Sequence, residues 1–155
     1  MLSVRNQNEQ LRALQAQLRR ARAVTPGLMA DVLALVAERY SAPSYLACAK
    51  RIDALIEAEA WTDAALALLD LELPQWKLRR IARDDSEWRC CVGKQRPLPE
   101  WLDDTVECGH PVLPLALFDA LIEARLVALT FATPTARSVV PSARDTEYVC
   151  CDNFA

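Results

Sequence analysis

The chain has 155 residues, of which 52% are hydrophobic and 25% charged, and its formal net charge is -3. This length favours one domain, or a small domain with an extension, and the composition excludes collagen, coiled-coil fibres and wholesale disorder. Alanine and leucine are abundant and only 3 residues are glycine, which favours helix over an all-β fold and leaves little room for glycine-rich phosphate loops. The single histidine leaves little room for common acid–base catalysis.

The location of the protein is predicted from its apolar segments. The first 24 residues contain five arginines and no apolar core, so we expect no signal peptide and a cytoplasmic protein. The longest apolar stretch, residues 111–132, is interrupted by Asp119, Glu123 and Arg125, which predicts a buried helix and no membrane contact. Since the cytoplasm keeps cysteines reduced, the six cysteines are expected to be thiols.

An apolar stripe marks the first predicted helix, which covers residues 3–24. Leu11, Leu14 and Leu18 recur at spacings of 3 and 4 residues, which is typical of an amphipathic helix. The stripe is too short for a coiled coil but suits docking on a partner helix. Because the N-terminal half offers no evident partner, we expect this helix to bind a second copy of the chain or another protein.

Three further helices are predicted before residue 75. Thr25, followed by proline, predicts the capped start of the second helix, and Pro43 marks the start of the third. The fourth covers residues 63–72, with Thr62 at its cap. The segment ALIEAEAWTDAALALLDLELP resembles the helix-turn-helix of a tetratricopeptide unit, but a solenoid needs several such units, so we interpret it as a single helical hairpin.

The composition then changes to that of strands. Residues 76–82 and 87–95 flank a polar tract of turn residues, which predicts a β-hairpin with Trp88, Cys90 and Val92 on one face. A short third strand is predicted within 102–109, and an apolar helix from residue 111 to about residue 130. Such a helix must be covered, and the aromatic face of the hairpin is the expected cover.

These elements predict an α+β fold, in which N-terminal helices precede an α-β-β-(β)-α unit with a small antiparallel sheet packed on helices. The predicted organisation is an N-terminal helical extension over 1–40, the α-β-β-(β)-α domain over 41–132 and a mobile tail over 133–155. The tail is assigned from its lack of periodicity and its richness in Ser, Thr, Pro and Arg.

A basic hairpin is the first candidate site. Its strands and flanks carry seven basic residues interleaved with two tryptophans: Lys77, Arg79, Arg80, Arg83, Arg89, Lys94 and Arg96. The candidate contacts among them are Lys77, Arg79, Arg80 and Arg89. Bases and aromatics on one sheet are typical of surfaces that bind RNA or single-stranded DNA. The pattern favours instead that the tryptophans form the core face of the hairpin, with the arginines solvated or paired to the acidic segments. The helix-strand-strand-strand-helix order resembles the double-stranded-RNA-binding domain, although the Lys-rich start of that family's last helix is replaced by HPVLPLALFD. The sequence pI of about 5.2 also lies well below that of a dedicated nucleic-acid-binding domain.

A second candidate site is a zinc site at Cys90, Cys108 and His110. Thiolates and imidazole are zinc ligands, and these three residues meet if the second and third strands pair. The spacing is unlike a zinc knuckle, which favours Cys90 as a core residue instead. His110 stands beside no recognisable nucleophile motif, so a turn or capping role is expected for it and no catalytic residue is predicted.

A family resemblance covers residues 45–126. The run AWTDAALALLDLELPQWKLRRIARDDSEWRC, continued by LPEWLDD and LPLALFDALIEAR, resembles a group of uncharacterised small proteins from soil alphaproteobacteria. The resemblance implies a bacterial cytoplasmic protein. It implies no activity, cofactor or functional residue.

The sequence therefore favours a non-enzymatic module for protein–protein interaction or regulation, which acts through the N-terminal helix and needs no cofactor. Nucleic-acid binding by the basic hairpin is the alternative, and zinc binding is a further alternative.

Overall fold

A computed structural model describes residues 2–94 and 104–132 and confirms the α+β fold. The predicted tail, 133–155, lies outside the described residues. The elements in chain order are α1 (Leu2–Arg20), α2 (Pro26–Val36), a short 3-10 helix (Pro43–Tyr45), α3 (Leu46–Glu57), α4 (Trp61–Glu72), β1 (Trp76–Asp84), β2 (Glu87–Lys94), β3 (Thr105–His110) and α5 (Leu113–Ala132). Among these helices none is long and apolar enough to cross a membrane.

A side-chain cap sets the start of α2 but not that of α4. The Thr25 hydroxyl accepts a hydrogen bond from the Leu28 N–H at 3.2 Å, which confirms the predicted cap of α2. Helix α4 begins at Trp61, before the predicted Thr62 cap, and no side chain caps it. Its start is fixed instead by a tight turn after α3, in which Glu59 has a left-handed φ of 55°. Helices α3 and α4 therefore form the predicted hairpin, joined by only three residues.

The sheet has the strand order β1-β2-β3 with both pairs antiparallel. Strands β1 and β2 are joined at Asp85, whose positive φ of 50° closes the turn. One irregularity interrupts their register: Leu78 pairs with Val92 and Arg80 with Cys91, so Arg79 is an extra residue on the edge strand. This bulge allows Leu78 and Ile81 to lie on the same side of the sheet although they are three residues apart.

Helix α5 lies at the centre of the core. Leu115, Phe118, Leu121 and Ile122 are essentially inaccessible to solvent and belong to the single apolar cluster of the described residues. The sheet covers one side of α5, as predicted, but α1 and α4 also pack on it. The expectation that the hairpin is the cover was therefore incomplete: a helix with almost no polar face needs cover on several sides.

The apolar stripe of α1 is part of this same core. Leu11, Leu14 and Leu18 are at most 3% exposed, and α1 packs directly on α5. Between the two helices, Gln15 donates a hydrogen bond to the buried Asp119 carboxylate at 2.8 Å, and Arg19 pairs with the same carboxylate at 3.0 Å. The prediction that the stripe offers a docking surface is corrected: its partner is α5, about 100 residues away in the same chain.

Candidate functional site

A groove of about 680 Å³ runs between α3 and α4 on the outside of the molecule. Its floor is apolar and is formed by Ile52, Leu55, Leu66, Ala67 and Leu71. Its charged residues are Arg39, Arg51, Asp63 and Asp70, with Tyr45, Cys48 and Pro74 completing the lining. We refer to this set as the α3–α4 groove.

Helical periodicity explains why apolar and charged residues share the groove. On α3, Cys48, Arg51 and Leu55 are three and four residues apart and therefore lie on one face. On α4, Asp63 and Asp70 flank a central pair of apolar residues at the same kind of spacing. As a result, the α3 side of the groove is basic and the α4 side is acidic.

One end of the groove is held in place by a buried carboxylate. Glu72, only 3% exposed, accepts hydrogen bonds from the backbone N–H groups of Arg39 (3.1 Å) and Tyr40 (2.8 Å). The Arg39 guanidinium donates to the Leu71 carbonyl at 3.3 Å and lies 5.9 Å from the Tyr45 ring centroid. The segment between α2 and α3 is therefore fixed, and with it the rim that Arg39 contributes.

The same segment is tied to α3 by a phenol–carboxylate contact. The Tyr40 hydroxyl donates a hydrogen bond to the Asp53 carboxylate. This hydrogen bond, and secondarily burial, raises the pKa of Tyr40 to about 12, because the neutral phenol is the form that can donate.

Several groove residues are free to contact another molecule. Within residues 2–94 and 104–132, neither Arg51 nor Asp63 has an ion-pair partner. The Cys48 thiol is exposed, and Tyr45 is a large apolar side chain with 37% exposure. Next to it, Leu46 at the start of α3 is 57% exposed. The groove therefore presents apolar surface at the start of α3 and unpaired charges at Arg51 and Asp63 along its length.

The basic hairpin residues lie together, but not with the tryptophans. Lys77, Arg79, Arg80 and Arg89 are all exposed on the side of the sheet that faces away from α5. Trp76 is 2% exposed and Trp88 is half-buried, both on the α5 side. The tryptophans therefore form the core face of the hairpin, as the sequence favoured, and these four bases do not share a surface with the aromatic rings, because alternate residues of a strand point to opposite faces. Two other bases of the hairpin do lie on the rings: Arg83 is 5.5 Å from the Trp88 ring centroid and Lys94 is 5.5 Å from the Trp76 ring centroid.

The charges of these four residues are also largely balanced by neighbours. Lys77 pairs with Asp70 at 2.9 Å, and Arg89 lies 3.5 Å from Glu107 and 3.6 Å from Asp84. Arg80 reaches the same Glu107 carboxylate at 4.0 Å. Arg79 donates to the Lys94 carbonyl at 2.7 Å. The face is basic, but its potential is reduced by the acids that lie within it.

The zinc candidates do not form a ligand group. Cys90 and Cys108 are cross-strand partners in the core, whereas His110 is paired with Trp88. The His110 Nδ1 accepts a hydrogen bond from the Val112 N–H at 2.9 Å, which is the expected turn role. Among the described residues no three His, Cys, Asp or Glu side chains lie close enough to hold a metal ion.

Burial sets the protonation of the two thiols. It raises the pKa of Cys90 to about 11 and, with the nearby Asp119 and Glu123 carboxylates, that of Cys108 to about 12. Both side chains belong to the apolar core, where a neutral thiol packs as a small hydrophobic group.

The α3–α4 groove was not predicted from the sequence. The signal that was present is the placement of Asp63 and Asp70 around Leu66 and Ala67, which puts apolar and acidic groups on a single helix face. Comparison with protein-family models, curated proteins and solved structures gives no match to the chain. Function is therefore inferred from the geometry of the described residues.

Proposed function

We propose that this protein is a non-enzymatic, cytoplasmic interaction module that binds a helical segment of a protein in the α3–α4 groove. The observation that carries the proposal is an apolar floor between two helices, with unpaired opposite charges on its two sides. The resemblance to small alphaproteobacterial proteins supplies no activity, so it neither adds to nor limits this assignment.

The groove suits a third helix for energetic reasons. A helix laid along two others buries its own apolar face against residues such as Leu55 and Leu66, which are only partly buried in the isolated chain. Full burial of a leucine-sized side chain contributes about 1.5 to 3 kcal/mol. Arg51 on one side and Asp63 on the other select the charge pattern and the direction of the incoming helix.

The lining is less suited to a small molecule. Binding sites for metabolites converge several polar groups on one point within an enclosed apolar pocket. Here the charges lie at the two sides of an open groove, where they match an extended ligand.

Two cysteines of the chain provide the test. Cys48 lines the groove. Cys91 lies on the face of the sheet that points away from α5, outside the groove, and serves as an internal reference. We expect the alkylation rate of Cys48 relative to Cys91 to be lower in cells of the source organism than in dilute purified protein, because a bound segment covers the groove. Leu66→Asp should abolish the difference. Equal ratios in cells and in dilute solution contradict the proposal.

Nucleic-acid binding is the second candidate, favoured by the shared exposed face of Lys77, Arg79, Arg80 and Arg89. The tryptophans lie on the other face, so this candidate is limited to phosphate contacts. It predicts salt-sensitive binding of RNA or single-stranded DNA, weakened by Arg79→Ala and by Arg89→Ala. The absence of any mobility shift at low salt removes this candidate.

A further inference from the structure

We infer that the partner of the α3–α4 groove is the α3–α4 hairpin of a second copy of this chain, which covers the groove with two helices instead of one. The inference rests on the proposed function and names the partner of the same site. It is carried by the distribution of charge across the groove, which is complementary to itself.

The two sides of the groove have opposite charges. Arg51 lies on α3 and Arg39 on the segment just before it, whereas Asp63 and Asp70 both lie on α4. Asp70 already contacts Lys77, but Arg51 and Asp63 have no ion-pair partner within the described residues. A partner for this groove must therefore offer an acidic helix face opposite α3 and a basic one opposite α4.

A second copy meets this requirement in one of its two symmetric orientations. When two identical faces meet, the twofold axis lies in the plane between them, either across the helices or parallel to them. An axis across the helices places α3 on α3 and α4 on α4, so like charges face each other. An axis parallel to the helices places α3 of each copy on α4 of the other, so opposite charges meet.

The positions of the charged residues along the helix axes also bring Arg51 of one copy close to the acids of the other. Arg51 lies six residues before the end of α3 at Glu57, and Ala67 lies six residues after the start of α4 at Trp61. Since a parallel axis preserves height, Arg51 of one copy comes opposite Ala67 of the other. At a rise of about 1.5 Å per residue, Asp63 and Asp70 are then only about 4.5 to 6 Å away along the axis, within reach of an arginine side chain.

The apolar floors match by the same symmetry. Ile52, five residues before the end of α3, comes opposite Leu66 of the other copy, five residues after the start of α4, and the two hairpins together form a four-helix arrangement. The exposed Tyr45 and Leu46 lie at the end of this interface, where they extend its apolar area.

Charge reversal and mixing test the inference. In Arg51→Asp, the new acid faces Asp63 of the second copy. In Asp63→Arg, the new base faces Arg51 of the second copy. Because like charges then repel across the interface, each variant alone should dimerise roughly tenfold more weakly than the natural chain. Mixed together, the two variants place the acid introduced on α3 of one chain opposite the base introduced on α4 of the other, and they should form a mixed dimer. Lys50→Asp makes the same charge change on α3 outside the groove and should leave the dimer unchanged.

Light scattering of the full chain measures these outcomes. We expect a concentration-dependent mass that approaches twice the chain mass of 17.3 kDa for the natural chain, for Lys50→Asp and for the mixture. A mass of one chain at all concentrations overturns the inference, as does a mixture that stays monomeric when each variant has a normal unfolding transition. A Cys48 thiol that is shielded in cells but not in concentrated purified protein also overturns it, yet leaves the proposed function intact. Shielding that persists at high dilution and is relieved by deleting residues 133–155 identifies the chain's own tail as the occupant, which contradicts both.

Discussion

At the scale of single residues, Glu72 fixes one end of the candidate site. Its buried carboxylate accepts two backbone hydrogen bonds from the segment that carries Arg39 to the groove. Glu72→Ala leaves both N–H groups without this acceptor and should cost about 1 to 3 kcal/mol of unfolding free energy. Glu57→Ala, at the exposed end of α3, is the matched control. Urea unfolding measures both variants, and equal losses contradict this role of Glu72.

The buried thiols predict a loss of stability at alkaline pH. The pKa values of Cys90 and Cys108 are raised in the folded protein to about 11 and about 12, from an unfolded value of 9. Because the folded state holds these protons more tightly, the stabilisation is complete below about pH 9 and is lost as the pH rises towards 12. Tyr40, whose pKa is raised to about 12 from 10, adds to the same loss above pH 10.

The double variant Cys90→Ala/Cys108→Ala removes both buried thiols and isolates their contribution. Its unfolding free energy should fall less between about pH 8 and about pH 10.5 than that of the natural chain, even though its cavities lower its stability at both pH values. Cys48→Ala, which removes an exposed thiol, should leave the pH dependence unchanged. A double variant with the natural pH dependence contradicts the assignment to Cys90 and Cys108.

At the scale of elements, substitutions on α1 test whether its leucine stripe belongs to the core of the chain or contacts another molecule. Leu18 is fully buried on α5, so Leu18→Ala should lower the unfolding free energy by about 2 to 5 kcal/mol. Arg12→Ala, on the exposed side of the same helix, should change it by less than about 0.5 kcal/mol. Thermal or urea unfolding measures the stability of both variants. Equal stabilities would contradict the burial of Leu18 in the core and would indicate that the stripe contacts another molecule.

Element types were predictable because their signals are local. The Thr25 cap, the leucine spacing of α1 and the alternation in β2 depend only on residues close in sequence. Which faces meet depends on contacts between residues about 100 positions apart, such as Gln15 with Asp119. For this reason the sequence predicted the amphipathic helix α1 correctly and its partner wrongly.

The candidate sites illustrate the same limit. Alternation in β2 placed Trp88 with Cys90, but the sequence contained no signal for the bulge at Arg79, which changes the phase of β1. The face of Arg89, opposite Trp88, was therefore predicted correctly, whereas the basic residues of β1 were identified without the face on which they lie. The α3–α4 groove arises only when α4 packs on α5 and leaves the outer sides of α3 and α4 uncovered, which is a tertiary property.

At the scale of the whole molecule, a single apolar core surrounds α5, and the hairpin of α3 and α4 keeps an exposed outer face. Helix α5 is covered by the sheet, α1 and α4, whereas α3 has only Ala49 and Ile52 buried and packs mainly on α4. The exposed hairpin therefore keeps apolar surface that the chain's described residues do not cover. Its charge pattern then determines that a second copy fits with α3 against α4.

The most direct test of this account is the alkylation rate of Cys48 relative to Cys91 in the natural purified chain, measured over a range of chain concentrations. Cys48 lines the groove and Cys91 does not, so no substitution is needed. The account predicts that the ratio falls as the concentration rises, because the second copy covers the groove, and that Arg51→Asp prevents the fall. A ratio that stays constant from dilute to concentrated protein contradicts it.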